Sequence, residues 1–599
     1  MIRITQLSLN GVHKQEERCS MNIQFSPPDI TDLEIEEVAS AMRSGWITTG
    51  PKTKLFEKKI AEYCGVSHGK AVCLNSATAC LEMILRKLGI GPGDEVITSA
   101  YTYTASASVV CHVGAKLVLV DVARDSYKMD LAALENAITD KTKAIIPVDI
   151  GGVMENYDEI FEIVERKKNL FTPSENEIQK ALGRVAVVAD AAHSFGATYH
   201  GRRSGTVADF TSFSFHAVKN LTTAEGGALT WREITGIDND ELYRWFMLYT
   251  LHGQSKDALS KMKLGAWEYD VVYPAYKFNM TDITAAIGLV QLQRFDGLSA
   301  RRKHIIKEYD KLLLPLGVDR VEHFGSDFEG NGHLYLMRIP GITETKRNEI
   351  VAKMADAGVA CNVHFKPLPM HTAYKNLGFD VKDYPNAYRQ YANEITLPLH
   401  TLLTDEEVEY IAGTMQEILE GEQIEKTVDL DNLSFERVFD ADNDKIRMVQ
   451  EIIKDCGERM FLDDGLLHWA DPLPASFVKN ESLDKALYLI KDKTSNEFIA
   501  TYSITEKPGI YFDMEKKAMY FQWLAVSPEF WRHGVGRMIM QKICEIAQSK
   551  RCECVRCTVY EQSPRAVSFL TSQGFETIYK RPTKNFIVLC MERRIFTDS

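Results

Sequence analysis

The chain has 599 residues, too long for one simple domain; the size prior gives roughly two to four. Hydrophobic residues make up 45% and charged residues 26%, an ordinary globular balance that excludes a mostly disordered or fibrous protein. With 70 Lys+Arg against 83 Asp+Glu the net charge is −13, which argues against nonspecific binding to nucleic acid or anionic membrane and leaves room for a local basic patch facing a small phosphate ligand.

Residues 1–20 lack an apolar core followed by a small-residue cleavage site, so they read as a loose extension or a misplaced start ahead of Met21 rather than a signal peptide. No apolar stretch approaches the ~20 residues needed to span a bilayer. Twelve cysteines without a dense pattern point to reduced thiols in a cytoplasm. Cys552, Cys554 and Cys557 read as buried strand cysteines, and no metal site is expected. A helix is predicted after Pro27-Pro28, capped by Thr31 or Asp32, and a second over about 53–64, stopping at Gly65. β-rich runs follow at 70–74, 95–98, 116–122, 143–148 and 185–189, mostly separated by helical segments. This is the pattern of an α/β protein with a largely parallel sheet, a fold that places ligands at the carboxyl ends of its strands. A helix over 405–419 leads into a polar stretch that reads as a linker, 421–432. A strand near 434–439 and an amphipathic helix near 445–453 open a second unit. The expected domains are therefore 21–420 and 433–599.

Three pieces of the first unit stand at predicted strand ends. Asn75-Ser76-Ala77-Thr78 precedes a helix, where small hydroxyl residues serve as an N-cap or leave free N–H groups for an anion. Asp190 ends an apolar strand in Asp190-Ala191-Ala192-His193, placed to pair with a pyridinium nitrogen or to act as a cap. Lys219 follows the half-apolar strand Ser212-Phe-Ser214-Phe-His216; burial there would lower its pKa and make it a nucleophile for carbonyls. Alone, each has an ordinary structural reading. Together they supply the lysine, carboxylate and phosphate cradle that pyridoxal phosphate requires, with Tyr103 in order for stacking on its ring.

Residues 21–420 resemble the DegT/DnrJ/StrS sugar aminotransferases, of the fold type I pyridoxal-phosphate architecture: a large mostly parallel-sheet domain plus a small C-terminal subdomain. The resemblance rests on Leu74-Asn-Ser-Ala-Thr78, Asp190-Ala-Ala-His193, Gly201-Arg-Arg-Ser-Gly205, Ser214-Phe-His-Ala-Val-Lys-Asn220, Glu225-Gly-Gly227, Tyr276-Lys-Phe-Asn-Met-Thr-Asp282, Asn362-Val-His364 and Leu397-Pro-Leu399. It implies that Lys219 holds the cofactor covalently and shuttles the proton, and that Asp190 keeps the ring nitrogen protonated. It further implies that Ser76, Ala77 and Ser214 bind the phosphate, with Asn279 reaching in from a partner subunit. Tyr103 would stack on the ring with His193 beside it; His364 would lie near the sugar and Lys277 near its anionic groups. A homodimer is implied. Relatives with histidine in place of the lysine are dehydratases; Lys219 favours transamination. Asp149 sits where a histidine is common, and the segment 155–184 is longer and more charged than usual; both are expected near the substrate mouth.

In the second unit, a β-rich run over 519–526 is broken by Ser527-Pro528 and followed by Trp531-Arg-His-Gly534-Val-Gly536-Arg537 and a helix carrying Ile539, Ile543 and Ile546. A strand, a glycine loop and a helix N-terminus form a pyrophosphate site or simply a tight turn. A strand over 554–560 and a helix over 563–572 close with Gln573-Gly-Phe575. This order resembles the GNAT acyltransferases. The resemblance implies that Leu524 and Val526 pair with the pantetheine arm of acetyl-CoA and that Arg532, His533, Gly534, Val535, Gly536 and Arg537 hold its pyrophosphate. Trp531 replaces the usual Gln or Arg, Ser563 a frequent asparagine, and Leu570 the tyrosine that protonates the leaving thiolate. Asp463, Asp464, Trp469 and Asp471 lie in the stretch where the acceptor usually binds, and structural roles fit them equally well.

One unit would make a primary amine on a sugar and the other would acylate one. The expected function is a bifunctional cytoplasmic enzyme. It would aminate a 4-keto-6-deoxy nucleotide sugar with L-glutamate as donor, then N-acetylate the product with acetyl-CoA. The alternative is an aminotransferase whose GNAT module only binds acetyl-CoA or acylates an unrelated amine.

Overall fold

The computed structural model describes residues 21–255, 268–340, 342–422, 430–464, 473–493, 496–508, 516–531, 533–583 and 586–595, with single positions 466, 469 and 512 between them; side chains at 421, 422, 431 and 462–464 are outside the description. The extension 1–20, Arg532, Asp471 and the middle of the expected linker lie outside the described residues, as do the side chains of Asp463 and Asp464. The chain divides into two compact units, residues up to 340 with 349–419, and 341–348 with 420 onward.

In the first unit, helix α1 (Asp32–Arg43) starts at Thr31, which forms a reciprocal capping box with Glu34 and so settles the cap in favour of Thr31. Helix α2 (Pro51–Cys64) has proline in its first turn and ends at Gly65, whose φ of 78° is the left-handed C-cap that glycine adopts without strain. Then come β1 (Val72–Leu74), α3 (Ala77–Lys87), β2 (Glu95–Ser99), α4 (Thr104–His112), β3 (Lys116–Val120), β4 (Thr142–Ile146), β5 (Ala186–Asp190), β6 (Phe210–Ser214) and β7 (Gly227–Trp231). The sheet order is β1-β7-β6-β5-β4-β2-β3. Only β7 runs against its neighbours; the other adjacent pairs are parallel, so β1, β5 and β6 all end at one edge of the sheet. The strands are buried nearly throughout, as apolar parallel strands covered on both faces must be. The long helix α5 (Asp282–Leu313) leads to a small antiparallel sheet of β8 (Asp319–Arg320), β9 (Tyr335–Arg338) and β10 (Glu394–Leu397). Phe195 anchors the core edge-on to Phe213, Phe215 and Phe295. Each fully buried ring of this kind stabilises by roughly 1.5–3 kcal/mol.

The second unit has a seven-stranded sheet. Its strands are β11 (Leu433–Arg437), β12 (Ala486–Asp492), β13 (Phe498–Thr505), β14 (Ala518–Val526), β15 (Cys554–Tyr560), β16 (Glu576–Pro582) and β17 (Ile587–Arg594), in spatial order β11-β12-β13-β14-β15-β17-β16. Two apolar clusters cover its faces. One holds residues of α6 (Asn443–Asp464) and α7 (Ala475–Asp484), the other residues of α8 (Val535–Ser549) and α9 (Pro564–Ser572). Cys552, Cys554 and Cys557 are buried free thiols on or just before β15.

Candidate active sites

The edge where β1, β5 and β6 end gathers the three sequence pieces. Ser76 is extended and caps α3, its Oγ accepting the Ala79 N–H at 3.1 Å, while its carbonyl takes Cys80 N–H at 3.2 Å. The hydroxyl oxygen thus serves the cap, while the O–H donates to Asn75 Oδ1 at 3.3 Å. The N–H groups of Ala77 and Thr78 have no acceptor among the described residues and face outward with the positive end of the helix dipole. Gly227, the first residue of β7, makes this approach possible: a Cβ there would stand 2.5 Å from Ser76 C and 2.6 Å from Ala77 N. Ser214, half-buried at the end of β6, accepts the His216 N–H through Oγ at 3.4 Å.

Asp190 is 5% exposed, and burial raises its pKa. Its Oδ2 accepts from Ser106 Oγ at 2.7 Å and its Oδ1 from Ala192 N–H at 3.2 Å. Lys219 follows in the turn after β6, where its N–H donates to the His216 carbonyl at 2.9 Å. Loss of water pulls its amine from 10.5 to about 8, against the opposing attraction of Asp190. The amine is thus partly neutral near physiological pH. His193 accepts the Gly151 N–H through Nδ1 at 3.2 Å, and its ring lies 4.3 Å from that of His333 and 6.0 Å from that of Phe365. Burial holds it neutral, so the ring proton sits on Nε2.

His364 lies at the far side, stacked on Phe25 at 5.5 Å. Thr396 donates to Glu394, so the 2.9 Å contact of Thr396 Oγ1 with His364 Nδ1 has the histidine as donor and leaves Nε2 as acceptor. Burial lowers its pKa to about 4. Tyr103, the N-cap residue of α4, is 61% exposed at the rim, 6.0 Å from the Phe365 ring. Asn279 bridges to Leu74 by its backbone; its side chain donates to Thr49 Oγ1 at 2.6 Å and accepts from Lys277.

Two expectations about the mouth are corrected. Asp149 is 1% exposed and its carboxylate is taken up by the Glu155 N–H, Tyr157 Oη and Ser194 Oγ, so it stands beside the site without lining an opening. Most of the segment 155–184 forms helices Tyr157–Arg166 and Glu177–Leu182. Asn176 and Gln179 donate to the carbonyls of Lys87 and Leu88, at the end of α3 opposite its N-terminus. Charge there serves packing: Arg184 forms a buried two-pronged pair with Asp209 at 2.8 and 2.9 Å. Sequence reading also missed Ser106, Asn220 and His333. Asn220 lay inside a quoted motif, but its contact with His333 Nδ1 at 3.0 Å joins residues 113 apart.

The donors and acceptors fit pyridoxal phosphate: free N–H groups for an anion, a buried carboxylate for a pyridinium, and a lysine of lowered pKa.

In the second unit β14 and β15 pair in parallel only from Ala518↔Cys554 to Tyr520↔Arg556. Beyond that point a bulge, with Trp523 at φ 54°, turns β14 away from β15. Leu524 and Val526 lie past the last pair, half-buried. Gly534, at φ 87°, starts α8 without a side-chain cap, and the Val535, Gly536 and Arg537 N–H groups have no acceptor among the described residues. His533 Nδ1 is buried and unpartnered. Trp531 donates its indole N–H to the Val526 carbonyl at 2.6 Å, tying the loop to the strand. Leu570 is 5% exposed inside the apolar core, and Ser563 is buried. The open backbone and free helix N-terminus fit a pantetheine arm and a pyrophosphate.

Comparison with known proteins agrees with both halves. The DegT/DnrJ/EryC1/StrS aminotransferase family matches residues 28–416, and the acetyltransferase (GNAT) family matches residues 447–575. The spore coat polysaccharide biosynthesis protein SpsC of Bacillus subtilis (strain 168) is 36% identical over 406 residues, covering 67% of this chain and 97% of SpsC. Among solved structures, the PMP-form of a protein described as "Putative sugar aminotransferase Spr1654 from Streptococcus pneumoniae" is 55% identical with a TM-score of 0.65, covering 67% of this chain and all of that one. Its PLP-form is 53% identical with a TM-score of 0.64, covering 67% and 99%.

Proposed function

The chain belongs to the DegT/DnrJ/EryC1/StrS aminotransferase family and carries a GNAT acetyltransferase domain, and on that premise we propose a bifunctional nucleotide-sugar enzyme. Its first unit transfers the amino group of L-glutamate to C4 of a 4-keto-6-deoxy nucleotide sugar. Its second unit acetylates the new amine with acetyl-CoA. The observation that carries the first half is Lys219, with a pKa lowered to about 8 and the buried Asp190 beside it, at a sheet edge that also offers the free N-terminus of α3.

Bound at that edge, pyridoxal phosphate supplies the aldehyde and the electron sink for amine exchange. Ser76, Ala77 and Ser214 hold its phosphate, the first two through the helix N-terminus. Asp190, oriented by Ser106, keeps the proton on the ring nitrogen. Lys219 takes and returns the substrate proton. Tyr103 would stack on the ring with His193 beside it, and His364 and Lys277 would serve the sugar and its anionic groups. Asn279 acts across a homodimer. In the second unit the N–H groups of Val535, Gly536 and Arg537 hold the pyrophosphate, with Leu524 and Val526 along the pantetheine arm. A second reading, in which this unit only binds acetyl-CoA or acylates another amine, is favoured by Leu570, a buried core residue with no proton to give where relatives carry the tyrosine acid.

The test is the visible absorption of the cofactor-loaded chain before and after L-glutamate, followed by addition of keto sugar and acetyl-CoA. Bleaching of the band, its return with keto sugar, and an acetylated product support the proposal. No band after reconstitution overturns the first half. An unacetylated amine as the end product overturns the second.

A further inference from the structure

Asp149 occupies a place that neither proposed reaction uses, yet it is a heavily bonded carboxylate beside the first site. It is buried, and three donors converge on it: the Glu155 N–H at 3.0 Å and Tyr157 Oη at 2.9 Å on Oδ1, and Ser194 Oγ at 2.6 Å on Oδ2. Three donors require an acceptor-only group. A carboxylate has lone pairs for all of them, whereas an imidazole has at most one.

The position of those donors matters more than their number. Ser194 follows His193 directly. Asp149 itself opens the turn Ile150–Gly152, whose Gly151 N–H donates to His193 Nδ1 at 3.2 Å. One side chain therefore ties together the turn that carries the donor and the turn that carries the acceptor. The backbone repeats the tie, with the Asp149 N–H donating to the Asp190 carbonyl at 3.1 Å. Both glycines of the turn are left-handed, at φ 68° and 93°, so neither brings a side chain of its own to hold this part of the turn against His193. Asn331 closes the far side by donating to the His193 carbonyl at 2.6 Å. The hydrogen bond at Nδ1 is what selects the tautomer of a buried neutral histidine.

The geometry points to Asp149 as a positioning residue that locks His193 into a single neutral tautomer, with its donor on Nε2, for the cofactor site. The inference rests on the proposed aminotransferase reading for its consequence in catalysis, but its structural half stands without it. Asp149 touches no reacting atom; it works through Gly151 and Ser194.

The tautomer is read first, on the cofactor-free full-length chain, from the imidazole nitrogen resonances of the histidine whose signals vanish in His193→Gln. The wild type shows Nδ1 bare and Nε2 protonated; Asp149→Ala gives an average of the two tautomers. On the loaded chain, Asp149→Ala slows the half-reaction with glutamate about tenfold or more, with the half-saturating glutamate concentration changed by less than about twofold. In a His193→Ala background the same change costs less than about twofold more, because the two residues act as one. Asp149→Asn, which keeps an acceptor oxygen, recovers part of the rate. If Asp149→Ala fails to fold, Ser194→Ala and Tyr157→Phe each remove one donor and carry the same readouts. An unchanged tautomer, an unchanged rate, or fully additive losses in the double variant overturns the assignment. A wild type with the fixed tautomer but no conversion by glutamate overturns the aminotransferase reading instead.

Discussion

The amine of Lys219 offers the sharpest quantitative test. Burial takes its pKa from 10.5 down to about 8. At pH 7 about a tenth of the amine is then neutral, against about 0.03% for an ordinary lysine, so about 300-fold more nucleophile is available. The perturbation is pH itself, applied to the cofactor-free chain mixed with excess pyridoxal phosphate, with the rate of covalent capture followed by absorption. The rate is expected to rise about tenfold per unit between pH 6 and 7.5 and to flatten above pH 8. Asp190→Asn sharpens the test. The attraction of Asp190 opposes the drop, so its removal moves the midpoint below 8, while the amide oxygen still accepts from Ser106. A capture rate that keeps climbing through pH 10, or a midpoint that rises in Asp190→Asn, would refute the reasoning.

Three further outcomes follow from the geometry. Glu155 is buried with Oε2 unpartnered, and burial raises its pKa from 4.5 to about 7. The native state therefore holds this proton more tightly than the unfolded chain, and its contribution to stability falls as pH rises from about 4.5 to about 7. Denaturant midpoints of the cofactor-free chain should lie lower at pH 8 than at pH 5, and Glu155→Gln should shrink that difference. Gly227→Ala drives a methyl into the backbone of Ser76 and Ala77, so about 1–3 kcal/mol of stability and much of the pyridoxal phosphate affinity should be lost together, as read by denaturation and cofactor titration. Leu570→Tyr overpacks the apolar core at a cost of about 1–3 kcal/mol and should not raise acetyl transfer; a gain in rate with stability intact would show that the position faces the reaction after all.

What was legible in the sequence was local. Thr31, Gly65 and Ser76 announce helix ends because capping involves residues within one turn. Asp190 and Lys219 could be placed because an apolar run that stops at a polar residue marks a strand end, and parallel strands end together. What stayed hidden was set by distance along the chain. Ser106 orients Asp190 from 84 residues away, and no periodicity reports that pairing. Asp149 shows the same limit: standing where a histidine is common, it reads as a residue near the substrate mouth, and only the fold shows Tyr157 and Ser194 converging on it. The segment 155–184 misled for the same reason, since Arg184 and Gln179 spend their polarity on Asp209 and on the end of α3. The bulge at Trp523 had no sequence signal either, because a non-glycine residue at positive φ is held there by the register of β13 and β14 rather than by its own preference.

On the proposed reading, the order of the two reactions has a thermodynamic logic that does not depend on how the units are arranged. Transamination breaks and makes the same kinds of bond on two carbon skeletons, so it settles at a mixture governed by the ratio of glutamate to its keto acid. Acyl transfer from a thioester to an amine makes an amide and runs one way. A chain that performs both draws the first reaction past its own equilibrium by removing its product. The full-length chain, given keto sugar and glutamate, should therefore stop at a mixture without acetyl-CoA and go to completion with it. Gly534→Val, which strains the φ of 87° that opens α8, should return the full chain to the mixture while leaving the initial amination rate unchanged. If the end point ignores acetyl-CoA, the amine made by the first unit is not the acceptor of the second, and the second unit's substrate must be sought elsewhere.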